Sequence, residues 1–102
     1  MSLLHMVNKS PFATTSLKSC VGHARAGDAI LLLEDGVYGA ISGTGAADIL
    51  AGLGGDIPVF VLQPDLAARG LAEAELAPGL TMTDYNGFVD LATIHHATQS
   101  WL

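Results

Sequence analysis

The sequence predicts a small α/β domain: one parallel sheet of about four strands with helices on both faces. Three observations carry that prediction. Short apolar runs alternate with helix-patterned stretches along the chain, the signature of strand–helix–strand units. Two of the runs, residues 29–33 and 58–62, are continuously apolar behind their first residue, as strands covered on both faces are. The chain has 102 residues, which makes one domain, 1–102, with a real core near the lower size limit for a doubly covered sheet.

Residues 3–7, Leu-Leu-His-Met-Val, read as the first strand. Pro11 disfavours helix at Ser10 and turns the chain. Thr14, Thr15 and Ser16 offer hydroxyls to cap a helix over 16–26. Leu17, Cys20, Val21 and Ala24 form its apolar stripe, and Arg25 and Gly27 mark its end. Asp28 opens the second strand, and Glu34-Asp35-Gly36 closes it in a turn. Residues 37–41 fit either a strand or a helical turn. Gly43, Gly45, Gly54 and Gly55 bracket a short helix over 46–53. Residues 58–62 form the third strand, and Pro64 and Asp65 start a helix stopped by Gly70. Residues 71–77 are good helix formers ended by Pro78-Gly79. Residues 80–83 form the fourth strand. Asp84 caps a last helix over 85–98, with Phe88, Leu91, Ala92 and His95 on one stripe and 100–102 as a packed tail. Right-handed crossovers then give a flavodoxin-like three-layer sandwich with strand order 2-1-3-4.

Composition excludes several function classes. Half the residues are hydrophobic and 14% are charged, against roughly 25% charged in average soluble domains. Mean hydropathy is +0.44. No run approaches the ~20 apolar residues of a membrane span, so the excess apolar surface points to a subunit interface. Net charge is −6 with four Lys and Arg, which does not supply a phosphate-binding patch and argues against direct nucleic-acid contact. The single cysteine makes no internal disulfide, and the amino end shows no signal peptide, so the cytoplasm is the expected compartment. Gly43-Thr44-Gly45 lacks a following basic residue and has Asp48 where the Rossmann fingerprint needs glycine; it reads as turn and packing glycines. Cys20 and His23, with His95 and His96, fall short of the paired motifs of a zinc site. No metal and no cofactor are expected.

The stretch 4–12, Leu-His-Met-Val-Asn-Lys-Ser-Pro-Phe, followed by Ser16-Leu17 and Cys20, resembles the DsrH/TusB family of sulfur-relay proteins. So do residues 28–38, 64–70, Asp84-Tyr85, 87–91 and Gln99-Ser100-Trp101. The resemblance runs almost end to end in the right order. Two departures stand out: Ser2 and Leu3 form an insertion after Met1, and Asn86 replaces an acidic residue. The resemblance implies a Rossmann-like fold and a hetero-oligomer with two paralogous subunits of the DsrE and DsrF, or TusD and TusC, type. It also implies a sulfur acceptor of the DsrC or TusE type. The setting is oxidation of stored sulfur or 2-thiouridine synthesis on tRNA.

Within that resemblance Cys20 is the candidate persulfide carrier. Carriage needs a thiolate and an approach path, and a free thiol is only a few per cent ionised at neutral pH. Lys9, Ser10 and His23 are the candidate binding residues around it, placed by a loop over the carboxyl edge of the sheet. The expectation is a partly exposed sulfur within reach of the loop 8–12. The alternative reading makes Cys20 a small core residue on the helix's apolar stripe and the chain a docking subunit without chemistry of its own. Glu34 and Asp35 read as a solvated strand end, His5 as a core or strand-end residue, and Trp101 as a core plug or interface anchor.

Overall fold

The computed structural model describes residues 1–53 and 55–102. Five strands, β1 (Leu3–Val7), β2 (Ala29–Leu32), β3 (Val59–Leu62), β4 (Leu80–Thr83) and β5 (Ala97–Trp101), alternate with four α-helices. These are α1 (Ser16–His23), α2 (Gly45–Ala51), α3 (Gln63–Ala68) and α4 (Tyr85–Ile94). A 3-10 turn, Glu34–Ala40, follows β2. All strand pairs are parallel. The predicted α/β class with helices on both faces therefore holds.

The order is β4-β3-β2-β1-β5, not the expected 2-1-3-4. The centre goes to β2, whose four residues are all buried. It is the continuously apolar run, and only a central strand between two covered faces can bury every residue. The far side of β1 is taken by β5, a strand the sequence reading missed.

Chain direction explains the layers. From β1 to β4 the chain steps one way across the sheet, so crossovers of one hand put α1, α2 and α3 on the same face. There Leu17, Cys20, Ala46, Leu50 and Leu66 pack on Val7, Ile30, Leu32, Val59 and Val61. From β4 to β5 the chain returns the other way, and α4 falls on the opposite face. Its Leu91 and Phe88 cover Leu4, Leu31, Phe60 and Leu62. Each fully buried Leu or Ile contributes roughly 1.5–3 kcal/mol, so this two-sided packing dominates local propensity.

Element ends show where local signals lost. The helix expected over 16–26 stops at His23, with Ala24 extended at ψ 142°. Gly27, at φ +92°, lies in the turn beyond. The helix expected over 46–53 is α2; Gly54, one of its bracketing glycines, lies outside the described residues. Residues 71–77 do not form a helix: Ser42 N–H donates to Glu75 O at 2.8 Å and Ala77 N–H to Ala40 O at 2.8 Å, tying this stretch to the end of the 3-10 turn. Asp84 caps α4 as expected, accepting from Gly87 N–H at 2.9 Å. That helix ends at Ile94, and Ala92, placed on its inner stripe by the sequence, is exposed. Ser2 and Leu3 are working parts of the sheet: His96 N–H donates to Ser2 O at 3.0 Å, and Leu3 pairs with Ala97. Among the described residues, no helix is long and apolar enough to cross a membrane.

Candidate functional site

With every strand parallel, Val7, Leu32, Leu62, Thr83 and Trp101 end at one edge of the sheet. The loop after β1 leaves from that edge, as predicted, and carries Lys9 and Ser10. The Ser10 carbonyl accepts from Ala13 and Thr14 N–H, both at 3.1 Å, closing the turn that Pro11 begins. Thr15 sits at the N-cap of α1, yet its side chain makes no capping bond. Thr14 does the work instead: its Oγ1 accepts from Ser16 N–H at 3.3 Å. Lys9 is exposed and Ser10 half-buried.

Against this edge lies the 3-10 turn. Gly36 faces the end of β1 so closely that a Cβ would overlap the Val7 carbonyl oxygen. Glu34 takes a left-handed φ of +49°, unusual for a residue with a Cβ. Asp65 accepts its N–H at 2.6 Å, and Arg69 Nε donates to Asp35 Oδ1 at 2.9 Å. Glu34 and Asp35 are exposed, in keeping with a solvated strand end.

Cys20 is not partly exposed. Its exposure is 0%, and it belongs to the closed core with Val7, Leu17, Ile30, Leu32 and Val37. The expectation of a sulfur open to the loop 8–12 is thus corrected. The reason is the stripe itself: Leu17 and Cys20 face inward together, and α1 lies flat on the sheet. Burial pushes the thiol up to about 12, and the negative charge of Asp28 adds to the effect. His23 turns its Nδ1–H to Ser19 O at 2.8 Å and sets its ring 5.2 Å from Trp101.

The polar centre that the fold does build is elsewhere. His5 and Asp28 are both buried, and His5 Nε2 lies 2.9 Å from Asp28 Oδ2. Trp101 Nε1–H donates to His5 Nδ1 at 3.0 Å. Indole N–H only donates, so Nδ1 is the unprotonated nitrogen and Nε2–H donates to the carboxylate. Asp28 also accepts Leu3 N–H at 3.0 Å and Arg25 N–H at 3.1 Å. Burial opposes its ionisation, but the His5 hydrogen bond, then those from Leu3 and Arg25, outweigh it and hold the carboxyl below its usual range. The sequence named His5, Asp28 and Trp101 singly and did not join them. The parallel register, Leu4 beside Ala29 and Val7 beside Trp101, is what brings them together.

Hollows lie at both edges of the sheet. One of about 390 Å³ lies at the carboxyl edge between Gln63, Met82, Thr83 and Asp84. Another, about 460 Å³, is at the opposite edge, walled by Leu50, Leu53, Ile57, Val59 and Leu80, with no titratable side chain among the described lining residues. His5, Cys20, Asp28 and Trp101 line neither.

Fold and site define a parallel α/β protein with a single thiol on its first helix, sealed in the core. The family described as "DsrH like protein" matches residues 9–98. The chain belongs to this DsrH-like family of sulfur-relay subunits. Protein TusB of Erwinia tasmaniensis is 36% identical over 97% of this chain and 100% of its own. Protein TusB of Escherichia coli K12 is 32% identical with the same coverage. Among solved structures, the ychN protein from E. coli shares the fold with a TM-score of 0.84 at 14% identity, covering 98% of each chain. Protein Tm0979 from Thermotoga maritima does so with a TM-score of 0.62 at 24% identity, covering 91% of this chain and 92% of its own.

Proposed function

We propose that this chain is the docking subunit of a sulfur-relay hetero-oligomer, which helps persulfide sulfur pass between proteins without carrying it in its resting fold. The observation that carries the reading is the 0% exposure of Cys20. Persulfide transfer is an attack on sulfur and needs both a path and a thiolate, and burial removes both. The partners would be paralogous chains of DsrE/DsrF or TusD/TusC type and an acceptor of DsrC/TusE type. Relatives named TusB favour the tRNA 2-thiouridine setting, in the cytoplasm. Lys9, Ser10 and His23 would then serve as contact residues, not as activators of the thiol.

Cys20→Ser separates this reading from the carrier reading. A hydroxyl in this apolar core is expected to cost about 1–3 kcal/mol, read as a lower urea midpoint. Sulfur transfer by the complex reassembled with its paralogues should persist. Unchanged stability with lost transfer would instead make Cys20 the carrier.

The apolar surplus has a visible outlet. On α4, Tyr85 and Val89 stand 58% and 62% exposed one turn apart. The isolated chain is therefore expected to self-associate in sedimentation velocity, and co-expressed paralogues should relieve this. A monodisperse monomer at high concentration, indifferent to the paralogues, would count against it.

A further inference from the structure

We propose that β5 is a strap over Cys20, and that its release from β1 is the local motion that opens the thiol to solvent. The inference concerns access and does not depend on whether this thiol carries sulfur. β5 is an edge strand, paired to β1 alone. Ala97, Thr98, Gln99 and Ser100 are all exposed, so little apolar burial holds it. Its fixings are concentrated at the far end. Trp101 packs against the core cluster that contains Cys20. Its Nε1–H donates to His5 at 3.0 Å, and its ring lies 5.2 Å from that of His23. Next to it, the Leu102 carbonyl accepts from Ser16 Oγ at 3.1 Å.

Ser16, Cys20 and His23 stand at i, i+4 and i+7 on α1, one stripe of the helix. The end of the strap therefore meets α1 one turn before Cys20 and one turn after it, along the thiol's own stripe. In the same cluster Val7, Ile30, Leu32 and Val37 are each 0% exposed and built into β1, β2 and the 3-10 turn. Moving Val7, Ile30 or Leu32 breaks pairing within the sheet. Segments open locally where few buried apolar contacts hold them, and β5 is such a segment beside this thiol.

The test is alkylation of Cys20 by iodoacetamide in the intact chain, at urea concentrations below the unfolding transition. The urea dependence of the rate measures how much surface the opening exposes. The expected slope is shallow, well under that of global unfolding followed by circular dichroism. Trp101→Phe keeps a ring but removes the indole donor, and should raise the shallow-phase rate roughly 5- to 30-fold, as one or two kcal/mol of lost anchoring would. Ser16→Ala, at the other fixing, should raise it in the same direction. A slope equal to that of global unfolding in the unmodified chain overturns the proposal. So does a folded Trp101→Phe chain with an unchanged shallow rate.

Discussion

Asp28→Ala is expected to lower stability by about 3 kcal/mol or more, since each buried donor left unsatisfied costs roughly 1–3 kcal/mol. Three donors lose their acceptor at once: His5 Nε2–H, Leu3 N–H and Arg25 N–H. Two of them sit where the chain enters β1 and leaves α1, so the loss reaches both elements. Asp28→Asn keeps the shape and isolates the charge. The native carboxyl titrates below its usual range, so the unfolded chain takes up the proton first as pH falls. The stabilisation is complete above the unfolded value of about 3.9 and disappears as pH drops through the lower folded value. Urea midpoints measured from neutral pH downward should fall in that acid window for the native chain. Asp28→Asn should lack this component, and parallel profiles would refute the assignment.

Gly36→Ala is expected to cost about 3 kcal/mol, at the upper end of overpacking penalties. The new methyl would overlap the Val7 carbonyl oxygen, which is backbone and cannot swing aside. That carbonyl is already engaged, accepting Leu33 N–H at 3.1 Å. Relief therefore requires the 3-10 turn to lift from the end of β1. Gly43→Ala makes the contrast: nothing lies within 4 Å of its Cβ position, so only its φ of +80° is penalised. A smaller loss in urea unfolding for Gly36→Ala than for Gly43→Ala would show that close approach is not what selects glycine at 36.

The fold was legible where burial is two-sided. Residues 29–33 and 58–62 are apolar throughout because both faces of β2 and β3 are covered, and nothing else explains such runs in a chain this short. β5 was illegible for the opposite reason. Ala97-Thr98-Gln99-Ser100 has no apolar alternation because four of its five residues face solvent. It is a strand by virtue of the free edge of β1, and that edge is a property of the whole sheet. The strand order failed with it. Of the candidate site, the placement of the loop 8–15 at the carboxyl edge was readable from Pro11 and the strand before it. The inward aim of Cys20 was half readable, since its stripe with Leu17 pointed inward while the resemblance pointed outward. The centre joining His5, Asp28 and Trp101 depends on register between strands far apart in sequence, which no local pattern encodes.

The return of the chain from β4 to β5 also sets an order of assembly. Neighbouring pairs β1–β2, β2–β3 and β3–β4 join segments adjacent in sequence, whereas β1–β5 joins Leu3 to Ala97. Long-range pairings form late, because loop closure is paid before contacts repay it. On the ribosome β1 therefore waits with one edge bare until residue 97 has emerged. A bare strand edge is a template for any passing strand, so nascent chains translated side by side meet while that edge is still open. With 14% of its residues charged, the chain has few side chains to guard it, and the step most exposed to mispairing is this late closure of the β1 edge.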